Sequence, residues 1–191
     1  ENLIVEAQVG IGKSFGYLIP GILLSKITNK PLVVSTSSIQ LTEQLINDIK
    51  VVEKILNVPV ESIIGKGMTN FPCFNKIYKN NLKGQLLNEA LNIAYQGRTK
   101  QKVRDTNLKW NQISTDNCIL DKCKYKKDCA YYEMRNRLKT GNQYIRLGEY
   151  KPKVIVVNQD MLLMNFKKNE QGQKNLIYDN PCMLIIDEVH N

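Results

Sequence analysis

The sequence predicts an α/β fold: a parallel sheet with helices on both faces, carrying a cysteine-rich and mainly helical insertion. Three observations predict it. Short apolar runs alternate with longer runs of helical periodicity, at the pitch of strand-helix-strand units. A glycine-containing loop joins the first apolar run to the first helix, and the last apolar run ends in two carboxylates. Between them the alternation breaks at Gly67 and resumes near Val154, across a stretch holding four of the five cysteines.

Taken in order, Leu3-Ile4-Val5 reads as the first strand, and Ser14 to about Ile27 as the first helix. Between them Ala7 to Ser14, AQVGIGKS, has the A/G-x4-G-K-S/T spacing of a phosphate-binding loop. Gly10, Ile11 and Gly12 form the turn whose backbone N–H groups would face a polyphosphate, and the helix N-terminus adds partial positive charge. Lys13 stands where such loops place the phosphate-binding amine, and Ser14 where they place the magnesium-binding hydroxyl. The expected ligand is a nucleoside triphosphate.

Pro31 precedes a compact apolar strand, Leu32 to Ser35. Thr36-Ser37-Ser38 can cap the next helix, whose apolar positions Ile39, Leu41, Leu45, Ile46, Ile49, Val52, Ile55 and Leu56 largely keep helical spacing up to Asn57 and Pro59. A short strand near Ser62 to Ile64 ends at Gly65-Lys66-Gly67. Within the insertion, helices are predicted near Leu82 to Tyr95 and Cys129 to Lys139. The parallel pattern resumes with Val154 to Val157, a short helix near Gln159 to Met164, a polar loop, and the strand Cys182 to Ile186. This divides the chain into residues 1–66, the insertion 67–148, and the continuation 149–191.

The last strand runs directly into Asp187-Glu188-Val189-His190. In a parallel sheet that places both carboxylates at the carboxyl edge, where the phosphate loop also emerges. Metal-assisted phosphate hydrolysis needs this arrangement: Asp187 holding magnesium, Glu188 polarising the attacking water. His190, the only histidine, would link nucleotide state to the rest of the machinery.

Cys118, Cys123 and Cys129 form C-x4-C-x5-C, with Cys73 upstream, and neither gap is the C-x2-C of common zinc ribbons. Four thiolates suit an iron–sulfur cluster; zinc, or unliganded core cysteines, are the alternatives that spacing leaves open. Cys182 lies inside a predicted buried strand and reads as packing, not ligation. The net charge is +9, and Lys66 to Lys139 alone has 16 basic against 6 acidic residues, so the whole excess sits in one segment. Its cations are interleaved with Tyr78, Tyr95, Trp110, Tyr125, Tyr131 and Tyr132, a mixture suited to single-stranded nucleic acid. With no run of about 18 apolar residues and no basic-then-apolar leader, the expectation is a soluble, cytoplasmic protein. Both ends look cut from something larger.

These residues together resemble the DinG and XPD group of superfamily 2 DNA helicases. Glu6 to Ser14 is similar to that family's phosphate loop, and Val33 to Leu45 (VVSTSSIQLTEQL) to the motif after its second strand. Val154 to Leu163 (VIVVNQDMLL) and Leu184 to Asn191 (LIIDEVHN) are similar to two later motifs, with Gln159 where a histidine is common. The cysteines fall between the second and third of these, with the x4 and x5 gaps of bacterial DinG. The resemblance implies a RecA-like first motor domain that binds ATP and Mg2+, and a 4Fe-4S cluster on Cys73, Cys118, Cys123 and Cys129. It also implies ATP-driven 5′-to-3′ movement on single-stranded DNA with unwinding at duplex junctions. The second motor domain, with its arginine finger, would lie outside this chain. Two other readings compete: a non-catalytic nucleic-acid-binding module with a structural metal, and a zinc-containing ATPase acting on RNA or protein.

Overall fold

The computed structural model describes residues 3–6, 8, 12–103, 106–141 and 151–188. In chain order its elements are α1 (Lys13–Thr28), β1 (Leu32–Thr36), α2 (Ile39–Leu56), β2 (Glu61–Ile64), α3 (Phe74–Lys79), α4 (Gly84–Tyr95), α5 (Trp110–Ile113), α6 (Ala130–Thr140), β3 (Lys153–Asn158), α7 (Gln159–Glu170) and β4 (Met183–Ile186). The chain divides into two compact units, residues 1–65 with 138–191, and residues 66–137.

The first unit is a four-stranded parallel sheet, ordered β2-β3-β1-β4 among the described residues. β1 pairs with β3 from Leu32 against Val154 to Thr36 against Asn158, and with β4 from Leu32 against Met183 to Ser35 against Ile186. All five residues of β1 are buried, because β1 has a strand on each edge and helices on its faces. Alternate side chains separate the two layers. Leu32, Val34, Val154 and Val156 pack with Leu18 and Ile22 of α1 and with Leu45, Ile49 and Val52 of α2. Of the opposite parity, Val157 reaches the backbone of Gly65 together with Met161 of α7; a Cβ at Gly65 would lie 2.8 Å from each of those two side chains. Helices therefore cover both faces, and the domain has the parallel α/β architecture of a RecA-like domain.

Local chemistry sets the element ends. Ser38 caps α2 by accepting from the Leu41 N–H, and Asn57 closes it in the left-handed region at φ 49°. Asn158 caps α7 by accepting from the Met161 N–H. The structure corrects three expectations. Leu3-Ile4-Val5 is not a strand: the segment pairs with no described strand, and Leu3 and Ile4 are 86% and 93% exposed. A three-residue apolar run has no hold on an extended shape without a ladder partner. Helix α7 continues to Glu170, well past Met164, because Lys167 and Lys168 favour the negative end of its dipole. Strand β4 is not enclosed: Leu184 and Ile186 are 39% and 42% exposed, since β4 pairs only with β1 among the described residues.

Residues 66–137 have a core of their own. Phe74 and Ile77 of α3, Ala90, Ile93 and Ala94 of α4, Leu108, and Ile113 of α5 form one buried cluster. Short 3-10 turns at Leu120–Lys122 and Lys126–Asp128 connect this core to α6.

Candidate functional site

Helix α1 begins with Gly12 in the left-handed region at φ 81°, a conformation that glycine adopts without a Cβ clash. No side chain caps this end among the described residues, so its first N–H groups stay open to an anion. Gly10 and Ile11 of the predicted loop, and His190 of the last motif, lie outside the described residues. Lys13 and Ser14 are the first two residues of α1.

Across the sheet edge, β4 makes its last ladder bond from the Asp187 N–H to the Ser35 carbonyl at 2.8 Å. Asp187 and Glu188 thus stand one step beyond the strand, at the edge where α1 starts. The structure brings the two predicted pieces together: Lys13 Nζ donates to Glu188 Oε1 at 2.7 Å, over 175 residues of sequence. That hydrogen bond, reinforced by the charges of Glu188 and Asp187, pushes the Lys13 ammonium above its ordinary range, so it stays cationic.

Sequence reasoning missed two residues here. Tyr17, one turn into α1, donates its hydroxyl to Asp187 Oδ2 at 3.0 Å. Burial, then the Asp187 charge, drive the Tyr17 hydroxyl well above the ordinary tyrosine range, and a hydrogen bond with Ser14 pulls the other way. Gln159, the first residue of α7, donates from Nε2 to the carbonyls of both Asp187 and Glu188, each at 3.1 Å. Tyr17 falls at an apolar position of a helix and reads as core. Gln159 carried a signal, a polar residue directly after an apolar strand, but its partners lie 28 and 29 residues on.

The cysteines of the second unit are gathered less closely. Cys73 directly precedes α3, Cys129 directly precedes α6, and Cys123 lies between the two 3-10 turns, its sulfur accepting from Asn75 Nδ2 at 3.8 Å. All are half-buried free thiols. Burial raises the Cys118 thiol, and Cys73, Cys123 and Cys129 raise it further. Burial likewise raises Cys129, with backbone hydrogen bonds to Tyr132 and Tyr131 opposing and the charges of Cys123 and Cys73 adding. Cys118 and Cys129 therefore feel neighbouring sulfurs, and four soft donors in one neighbourhood suit a thiophilic metal or cluster. As they stand they do not close on one: among the described residues no group of three or more histidine, cysteine, aspartate or glutamate side chains is placed to hold a metal ion.

Beside them lies an aromatic group. The Tyr78 and Tyr125 rings stack at 5.4 Å with 24° between planes, Lys124 Nζ sits 4.8 Å above Tyr125, and Phe74 packs against Tyr95 and Tyr125. Tyr78, Tyr95, Lys79, Lys83, Arg98, Lys100, Lys102, Lys122, Lys124 and Lys127 are exposed; Arg104 is outside the described residues. Trp110 is committed to structure, donating its indole N–H to the Thr69 carbonyl at 2.7 Å.

Fold and edge geometry together define a RecA-like α/β domain with an acidic pair facing the start of its first helix. No protein-family model matches the chain. Over its whole length it is similar to curated proteins of the DinG and YoaA group. It is 28% identical over 206 residues to the ATP-dependent DNA helicase YoaA of Escherichia coli, spanning 30% of that protein. It is 24% identical over 204 residues to the 3′-5′ exonuclease DinG of Bacillus subtilis, spanning 20% of it. With the ATP-dependent DNA helicase DinG of Photobacterium profundum, 76 residues, 39% of this chain, are 40% identical. The chain thus spans less than a third of the length of the curated relatives it matches. Among its described residues no helix is long and apolar enough to cross a membrane.

Proposed function

We propose that this chain is the first motor portion of a cytoplasmic, ATP-dependent DNA helicase of DinG type. The observation that carries the reading is the meeting of Lys13 with Glu188 at the carboxyl edge of a parallel sheet. A cation at the start of a helix, facing a carboxylate pair at a strand end, is what phosphoryl hydrolysis requires. Lys13 and the open N–H groups from Gly12 onward would bind the phosphates, with Gly10 and Ile11 completing the loop. Ser14 and Asp187 would hold magnesium, which when bound neutralises charge on the phosphate oxygens. Glu188 would orient the attacking water once nucleotide draws Lys13 away from it, and His190 would relay nucleotide state.

Residues 67–148 would form the second functional piece. Cys73, Cys118, Cys123 and Cys129 are a donor set suited to a 4Fe-4S cluster. The exposed lysines and tyrosines around them suit the phosphates and unpaired bases of single-stranded DNA at a duplex junction. The 5′-to-3′ direction follows from the family resemblance. The chain alone should hydrolyse ATP slowly, since an arginine finger from a second motor domain is typically worth ~10³ or more in rate.

The test is Lys13→Ala in the full-length parent protein. DNA-stimulated ATPase should fall by about 10² or more, the scale for losing one charge-stabilising donor. Survival of that activity would leave a nucleic-acid-binding module. Iron and sulfide analysis after anaerobic purification tests the cluster; stoichiometric zinc without iron would replace it with a structural metal.

A further inference from the structure

The acidic pair stands where β4 gives way to a turn. The strand ends at Ile186, the Asp187 N–H still donates to the Ser35 carbonyl, and Glu188 then turns into the left-handed region at φ 56°. A non-glycine residue there is disfavoured and persists only where its surroundings over-determine it. Beside the Lys13 bond to Glu188, side chains from two helices supply that restraint. Tyr17 fixes one oxygen of the Asp187 carboxylate from α1. From the other side, the Gln159 amide donates from Nε2 to two consecutive carbonyls, those of Asp187 and Glu188.

We infer that Gln159 is a positioning residue for the acidic pair: its carboxamide clamps the turn after β4 and so holds the Glu188 carboxylate against Lys13 and the Asp187 carboxylate in the place from which it would hold Mg2+. The chemistry explains why a carboxamide suits this place. Both carbonyls are acceptors, and a carboxamide nitrogen carries two N–H bonds with which to serve the pair from a single point. The amide is also uncharged, so it adds no repulsion beside two carboxylates. Gln159 follows Asn158, whose own side chain caps α7, so the clamp is held on the first turn of a helix and not on a loop. A displacement of α7 along β3 would therefore move the acidic pair with it.

The inference rests on the nucleotide reading proposed above, and the experiment separates the two. In the 191-residue chain, binding of a fluorescent ATP analogue is titrated against MgCl2 for the unaltered protein and for Gln159→Glu, Gln159→Met, Gln159→His and Lys13→Ala. Gln159→Glu keeps the shape but exchanges the N–H pair for oxygen, and Gln159→Met keeps length without a donor. Both should weaken the Mg2+ dependence of binding by about tenfold or more, the usual effect of removing a residue that orients a metal ligand. For Gln159→Met, which adds no charge, binding without Mg2+ and the melting temperature should stay near the unaltered values; Gln159→Glu, which sets a third carboxylate beside the pair, is read on the Mg2+ dependence alone. Gln159→His retains one donor and should recover part of the loss. Unchanged Mg2+ dependence in both Gln159→Glu and Gln159→Met, with Lys13→Ala still abolishing binding, would overturn the positioning role alone. Equal binding by Lys13→Ala and the unaltered chain would overturn the nucleotide reading itself.

Discussion

Lys13 and Glu188 come from opposite ends of the chain and meet at 2.7 Å, whereas Cys118, Cys123 and Cys129 are close neighbours in sequence and form no group ready to hold a metal. The first pair is aimed by a parallel ladder: β1, β3 and β4 end at one edge, and α1 starts there. Hydrogen bonds from Tyr17 and Gln159 then fix the acidic turn before any ligand arrives. The thiols instead sit before helices and beside 3-10 turns, with the single Pro72–Ser114 bridge next to Cys73 as the strand-like support among the described residues. A site built on strand ends is preorganised; thiols held on turns would take their final arrangement from the cluster proposed for them.

The largest expected effect is the one that removes that group. Replacing Cys118 and Cys129 together by serine should abolish metal loading and speed tryptic cleavage among Lys122, Lys124, Lys126 and Lys127 by about tenfold or more, because bound metal stabilises only the folded form. The same change should leave amide-exchange protection of β1 and β3 as it was, since the sheet has its own core of Leu32, Val34, Val154 and Val156. The α3–α4 core should stay protected too, being apolar and complete without sulfur. Equal cleavage in loaded wild type and variant would show that these turns are held by the polypeptide alone, and the contrast between the two sites would vanish.

The same contrast explains what could be read in advance. Strands β1 and β3 and helices α1 and α2 were legible because their apolar spacing is local, the strands being buried and each helix burying one face. Burial of β4 was not, because the run Cys182 to Ile186 reads as enclosed whether or not a neighbour covers both its edges. Lys13, Asp187 and Glu188 stood out by residue type and spacing. Tyr17 and Gln159 did not, because their roles depend on partners brought near only by the sheet register. For the cysteines the sequence supplied the donor set, while the separation of their sulfurs is a property of the folded turns.

A middle-sized effect probes how firmly α7 is seated. A methyl group at Gly65 would lie 2.8 Å from Met161 Sδ and Val157 Cγ1 and 3.1 Å from Leu138 Cδ1. Those are closer than packed atoms tolerate, and overpacking of this kind typically costs about 1–3 kcal/mol. Gly65→Ala should therefore lower the melting temperature of the sheet unit and, by shifting Met161, loosen Gln159 on the same helix. The Met161 side chain is flexible and can yield, which places the expected loss toward the lower figure. A variant as stable as wild type would mean that α7 moves freely over the sheet, and the preorganisation assigned to the acidic edge would need another source.

The smallest effect has the opposite sign. Ser35 is fully buried in β1, and its hydroxyl has no hydrogen-bond partner among the described residues. Its backbone does the structural work, accepting from the Asp187 N–H, and alanine would keep that bond intact. A buried hydroxyl without a partner carries its desolvation penalty uncompensated, so Ser35→Ala should be neutral or stabilising by up to about 1 kcal/mol in a denaturant titration. Its loop-to-acid geometry should be untouched, and nucleotide affinity with it. A clear loss of affinity at full stability would instead mean that the Ser35 hydroxyl gains a partner when nucleotide binds, and that this edge rearranges on loading.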